Sequence, residues 1–254
     1  SAGGIVAADA VAKADPDGYT LLLMSNGNAV SASLFKSLPY DPVADFAPVS
    51  TLGFFDVAVV TTPDSRIDSL GGLVALARAN PGKLNIGTIN VGSTQHLAAE
   101  LFKSMAGIDA ETVPYKGSPA VIAALRGKDV EVVFEMLAPI IPQARSGVVK
   151  ILAVASDRRS PLLPDIPTVA ESGVPGYQAS SWNAIAAPAR TPRAIIDRLN
   201  QAIGAALASA EVKSRLEAAG VVARGSTPDQ MRELLVADIA KWRRVIELAK
   251  LEKQ

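Results

Sequence analysis

The chain has 254 residues, 25 basic and 25 acidic side chains for a formal net charge of zero, and 49% hydrophobic against 20% charged residues. That balance can bury a core and excludes wholesale disorder, and zero net charge removes the long-range field that would gather nucleic acid or an anionic membrane. The absence of cysteine excludes disulfides, thiolate catalysis, zinc ribbons and iron–sulfur clusters, and a single histidine excludes His-rich metal sites.

The length fits one large domain or two modest ones. No run reaches the roughly 18 apolar residues of a membrane helix. The most apolar runs, Tyr19–Met24 and Phe54–Val60, are strand-sized, and Asp56 interrupts the second. The start has no charged region, apolar stretch and small-residue cleavage site in succession, so a secretion signal is not in this sequence. Ser1-Ala2-Gly3-Gly4 leads directly into the helical pattern Ile5–Ala12 with no strand before it. In an alternating α/β chain a Gly-rich turn that opens a helix follows a strand. A segment before Ser1 is therefore expected, the alternative being a domain that begins with a helix.

Asp15-Pro16-Asp17-Gly18 predicts a turn, and Tyr19–Met24 a buried strand. Val57–Thr61, Leu84–Gly87, Glu111–Pro114, Val130–Phe134 and Val149–Ala155 predict further strands. Their near-continuous apolar character suggests a parallel sheet covered on both faces. Behind Gly92-Ser93-Thr94, the residues Leu97, Ala98, Leu101, Phe102 and Met105 form one helical stripe. Ser118 before Pro119 and Thr191 before Pro192 are expected N-caps, and Thr227-Pro228-Asp229-Gln230 is a capping box. Gly107, Gly127, Gly147 and Gly220 sit where helices should stop. Pro161, Pro164, Pro167 and Pro175 make the stretch from Ser160 to Gly176 a loop with one short helix at Thr168–Ser172. Ser180–Pro188 returns to strand character, and the rest is helical apart from Val221–Ala223.

The sharpest chemical feature is the run Asn85–His96, which passes from a strand through a small polar loop into a helix amino end. Free backbone amides and the positive end of the helix dipole make that an anion site, to which Thr88, Asn90, Ser93 and Thr94 can add hydrogen bonds. Ordinary N-capping is the competing reading, and it needs only one such residue. No Gly-x-x-x-x-Gly-Lys-Ser/Thr pattern is present, which disfavours nucleotide phosphate. Polar loops at Ser25-Asn26-Gly27-Asn28 and Tyr115-Lys116-Gly117-Ser118 also follow strands, where open α/β folds bind ligands. Lys116 can pair with a carboxylate or simply be solvated. Glu135, at the end of its strand, can accept from a ligand donor or cap the next helix. His96 lacks a nucleophile elbow and a paired carboxylate, so it reads as packed or capping. A βα core, a proline-rich return and a helical tail fit two α/β lobes with the chain crossing between them twice; Trp182 and Phe54 lie at the two inferred crossings, as pocket lining or as core.

Taken together, several motifs resemble the Bug/TctC family, the extracytoplasmic solute-binding receptors of tripartite tricarboxylate transporters. They are Asp17-Gly18-Tyr19-Thr20-Leu21-Leu22, Leu38-Pro39-Tyr40-Asp41-Pro42 and Asp45-Phe46-Ala47-Pro48-Val49 in the first part of the chain. Gly92-Ser93-Thr94-Gln95-His96-Leu97-Ala98-Ala99-Glu100-Leu101-Phe102 resembles the family's pocket helix. Val113–Ser118, Pro164–Glu171 and Ala187–Pro192 continue the match, which spans essentially the whole chain. The resemblance implies a type II periplasmic-binding-protein fold whose two α/β lobes, joined by two crossovers, close on a small carboxylate. The implied lobes are residues 1–57 with 183–254, and residues 58–182. In the family one carboxylate is held between two loops through backbone amides and ordered water. One loop corresponds to Thr88–Thr94; the other belongs to a strand and turn that would precede Ser1, so the first lobe is expected to lack its N-terminal strand and helix. Family members often carry histidine where Asn28 stands. Many carry aspartate where Glu135 stands, which in amino-acid binders meets the ligand ammonium.

The expectation is a non-enzymatic, periplasmic carboxylate-binding protein without metal or cofactor. It would be a monomer not inserted in the membrane, and would deliver its ligand to membrane permease subunits. Thr88, Asn90, Gly92, Ser93 and Thr94 are assigned to the carboxylate, Ser25, Asn26 and Asn28 to first-lobe contacts, and Lys116, Glu135 and Trp182 to selectivity. The rivals are a ligand-sensing effector domain of a regulator, a sensor presenting its ligand to a signalling partner, and a hydrolase using Ser93 with His96.

Overall fold

The structure, a computed structural model, describes residues 4–254, so the first three residues of the Ser1–Gly4 start lie outside the described residues. In chain order the elements are α1 (Ile5–Ala12), β1 (Leu22–Ser25), α2 (Asn26–Leu34), β2 (Phe46–Thr61), α3 (Leu70–Ala79), β3 (Asn85–Ile89), α4 (Thr94–Ala106), β4 (Glu111–Tyr115) and α5 (Ser118–Gly127). They continue as β5 (Val132–Met136), α6 (Leu137–Arg145), β6 (Lys150–Val154), β7 (Ser180–Pro188), α7 (Arg193–Ala208), α8 (Ala210–Ala218), β8 (Val222–Ala223) and α9 (Pro228–Leu248). Two compact α/β units share the chain, Ser1–Phe54 with Ser181–Gln254, and Phe55–Ser180. The chain leaves the first unit within β2 and returns at the start of β7.

In the first unit β1 runs antiparallel to β7, with Leu22 opposite Ala186 and Ser25 opposite Asn183, and β8 pairs antiparallel with β2 at Gly53 and Phe54. The expected buried strand Tyr19–Met24 is shorter and half open. Tyr19 is 93% exposed, and Leu23 is 58% exposed between buried Leu22 and Met24. The reason is the turn before it: Gly18 takes φ +86°, and the Tyr19 amide bonds Asp17 Oδ1 at 2.9 Å instead of a neighbouring strand. Helix α9 begins with the expected capping box, Gln230 N donating to Thr227 Oγ1 and Thr227 N to Gln230 Oε1. Its Met231, Leu235, Trp242 and Ile246 are buried, at helical spacing along one face. At α7 the cap position is Pro192, which has no side-chain acceptor, while Thr191 Oγ1 is buried without a partner.

In the second unit β3, β4 and β5 are parallel, with Gly87 opposite both Val113 and Val133. The expected wholly parallel sheet is corrected here, because β2 runs antiparallel to both β5 and β6. A strand buried on both faces has the same apolar composition in either orientation. Val60, Val121, Leu125, Val133 and Ile140 belong to the core of this unit. Gly87 is needed at its centre, since a Cβ there would lie 2.9 Å from Val121 Cγ2 and 3.0 Å from Val130 Cγ2. Helix α5 is capped by Gly117 at φ +92°, one residue before the expected Ser118. The stripe of α4 holds at Leu97, Ala98 and Phe102 but not at Met105, which is 40% exposed; Ala99 is buried in addition. No helix forms at Thr168–Ser172. Ser172 N reaches Thr168 O at 3.1 Å to close one turn, which Gly173 ends at φ +108°. Helices α2 and α3 were not anticipated; Ser69, whose Oγ accepts from Gly72 N at 3.1 Å, starts α3.

Candidate functional site

The parallel register of β3 and β5 sets the carboxyl ends of the two strands side by side. Thr88 and Glu135 lie at those ends, both 0% exposed, and Thr88 Oγ1 and Glu135 Oε2 are buried without hydrogen-bond partners. An orphaned buried oxygen is costly, so each marks unmet hydrogen-bonding capacity at its own strand end. The register sets Thr88 opposite Phe134 and Glu135 one residue further on, so the two side chains leave the sheet on opposite faces.

From β3 the chain turns into α4 through Asn90, Val91 and Gly92. Asn90 N donates to Tyr115 O at 3.1 Å, which ties the turn to the end of β4 and to the residue before exposed Lys116. Ser93 N donates to Asn90 O at 3.0 Å, and Gly92 takes φ +80°. Ser93 is then the N-cap of α4. Its Oγ accepts from His96 N at 3.1 Å and donates to Ile89 O at 2.9 Å. The amino end of α4, where Gln95 stands in the first turn, presents the positive end of the helix dipole, which favours an anion.

Gln95 is the residue that sequence reasoning passed over. It is 5% exposed, and its Nε2 donates to Glu135 Oε1 at 2.8 Å, across 40 residues of chain. Met136 N donates to the same oxygen at 2.7 Å. One carboxylate oxygen is thus held twice while the other has no partner. The signal was its place in the Gly92–His96 run; the partner could come only from the strand register. A pocket of about 360 Å³ in the same unit includes Glu135, with Pro119, Ile122 and Ile140 among its apolar walls and Arg126 and Gln143 among its polar ones.

His96 is 4% exposed, and burial holds its imidazole below the ordinary value; Glu100 raises it and Lys103 lowers it by smaller amounts. The imidazole Nδ1 faces Gly92 N at 3.5 Å. Ser93 gives its hydroxyl proton to a backbone carbonyl and not to His96, so the pair is not arranged as nucleophile and base. Tyr177 seals the other side of α4, its hydroxyl donating to Ala98 O at 2.8 Å, and burial pushes that phenol up.

The structure therefore gathers Thr88, Asn90, Gly92, Ser93, Thr94 and Glu135 in the second unit, with Lys116 beside Asn90's partner. The remaining expected residues lie in the first unit. Ser25 to Asn28, expected as a loop, are the cap and first turn of α2: Gly27 N donates to Ser25 Oγ at 3.2 Å and Ser25 N to Asn28 Oδ1 at 2.9 Å. Asn26 is fully buried and its Oδ1 accepts from Trp242 Nε1 at 2.7 Å. Trp182 is 1% exposed and donates its indole N–H to Asp238 Oδ2 at 2.7 Å. Among the described residues there is no group of three His, Asp or Glu side chains able to hold a metal, and no helix is long and apolar enough to cross a membrane.

A family model described as tripartite tricarboxylate transporter family receptor matches residues 1–251. Protein BugT of Bordetella pertussis is 39% identical over 247 residues, covering 96% of this chain and 76% of that protein. Among solved structures, Rpa4515 of R. palustris with adipate has a TM-score of 0.80 at 35% identity, covering 98% of this chain and 84% of that one. MatC from Rhodopseudomonas palustris with bound malate has a TM-score of 0.74 at 30% identity, covering 97% and 85%.

Proposed function

Since the chain belongs to the tripartite tricarboxylate transporter receptor family, a family of extracytoplasmic solute receptors and not enzymes, we propose that it captures a small organic carboxylate in the periplasm and hands it, as a monomer, to membrane permease subunits. Adipate on one relative and malate on another point to dicarboxylates of about four to six carbons as the first class to consider.

The observation that carries the reading is Thr88 Oγ1, buried without a partner at the end of β3 where the chain turns into the amino end of α4; Glu135 Oε2 is a second such oxygen at the end of the adjacent β5. One ligand carboxylate sits at the amino end of α4, with Thr88, Asn90, Gly92, Ser93 and Thr94 around it. The chain carries no net charge, so attraction of the anion is local: the helix dipole, hydroxyls and Lys116 supply it. Glu135 sets selectivity. A bare second carboxylate facing Oε2 is repelled, whereas a ligand that brings a hydroxyl or ammonium donor satisfies it. Hydroxy- and amino-dicarboxylates are therefore favoured over plain ones.

A thermal-shift panel of small carboxylates tests this. A ligand that binds only the folded state raises the melting temperature by mass action. The expected result is a concentration-dependent rise with one or more dicarboxylates; a rise only with non-carboxylates would overturn the assignment.

A further inference from the structure

A different concavity, in the first unit, has no part in the carboxylate site. Its volume is about 580 Å³, and it lies between the segment that follows α2 and the outer side of α9. Phe35, Leu38, Tyr40 and Ile239 give it an apolar lining, and Lys36 and Arg243 give it two cations. Neither cation makes an ion pair with another side chain among the described residues. The lining is held in shape from behind. Tyr40 is 6% exposed and its ring meets Phe46 edge-on, with centroids 5.6 Å apart at 80°. Asp41 Oδ1 accepts from Val43 N at 2.7 Å and Ala44 N at 2.9 Å, and Arg232 donates to Val43 O at 3.2 Å. The backbone amide of Lys36 is fixed on Gln254 O at 2.9 Å. Asp41 is the acidic group in the lining, and its Oδ1 is already occupied by two amides.

We propose that this concavity is a second ligand site, taking an organic anion that joins one sulfonate, phosphate or carboxylate head to a compact apolar body. The head meets Lys36 and Arg243, and the body lies on Phe35, Leu38 and Tyr40. A volume near 580 Å³ lies in the range of small-molecule sites and admits a fused aromatic pair. A bare inorganic ion gains little here, because two solvated cations hold it only weakly without apolar contact. The site is remote in sequence from Thr88–Thr94, and its occupancy does not depend on the carboxylate reading.

The test is calorimetric titration of the intact chain with naphthalene-2-sulfonate, 2-naphthol and inorganic sulfate. Saturable binding of the sulfonate at one equivalent is expected, with much weaker binding of the other two. Lys36→Gln and Arg243→Gln should each weaken it by about fivefold, the value of one modest ion pair, while Ser93→Ala leaves it unchanged. Equal binding of naphthol and sulfonate, or binding indifferent to both substitutions, would overturn the proposal. A competition arm separates a soluble anion from a lipid headgroup: phosphatidylglycerol vesicles should not displace the sulfonate. Displacement by those vesicles but not by phosphatidylcholine would make the ligand a membrane headgroup and contradict the soluble-ligand site.

Discussion

Gln95 on α4 and Glu135 at the end of β5 meet inside the second unit, Nε2 to Oε1 at 2.8 Å, with both side chains at least nineteen-twentieths buried. The bond fixes the first turn of the pocket helix to the sheet and leaves Glu135 Oε2 without a partner. A buried carboxylate in that state is stable only while its remaining contacts persist.

The costs of removing the two members should therefore not add. Gln95→Leu is expected to destabilise the protein by about 1–3 kcal/mol, the cost of stranding a buried acceptor. Glu135→Leu should cost a similar amount, and the double variant less than the sum of the two. Urea denaturation of the four proteins gives the coupling directly; strict additivity would show that the bond does not link helix and sheet.

Gly87→Ala tests the close approach of α5 to β3. The new methyl would lie 2.9 to 3.1 Å from Val121, Val130 and Val133, all buried in the core of the unit with little room to yield. Overpacking of this kind costs about 1–3 kcal/mol. The urea midpoint should fall with the slope unchanged; an unchanged midpoint would mean the core yields there.

His96 gives the protein a pH dependence with a definite sign. Burial holds its folded-state value below the ordinary 6.5, so the folded form prefers the neutral ring. The stability it contributes is present above pH about 6.5 and is lost as pH falls toward and through the depressed folded value. The urea midpoint should drop between pH 7.5 and pH 5, and part of that drop should vanish in His96→Gln. A wild-type-like pH profile in the variant would assign the loss to the carboxylates instead.

What could be read from sequence was whatever local chemistry decides. Thr227 and Gln230 cap α9 from three residues apart, and β7 stands where its apolar run placed it. The reading of Ser25–Asn28 as a loop failed because α2 is built from small residues. Ala29, Ser31 and Ser33 are buried, yet they carry no apolar stripe, and Asn26 is fixed by Trp242 from 216 residues away. Strand direction failed for a related reason, since Val57–Val60 look alike whether their neighbours run with them or against them. At the site, the polar run up to His96 was visible as a helix amino end. Glu135 was visible only as a strand-terminal acid, and its bond to Gln95 arises from the register of β3 against β5.

The central claim is that the end of β3 and the start of α4 bind a carboxylate. Isothermal titration of malate against its diamide, malamide, on the wild-type chain and on Thr88→Val tests it most directly. The two ligands have nearly the same shape and differ in charge. Measurable binding of malate, at least tenfold weaker binding of malamide, and a severalfold loss of malate affinity in Thr88→Val are the predicted results. Equal affinity for the acid and the amide, or malate binding untouched by Thr88→Val, would contradict a carboxylate site at this strand end.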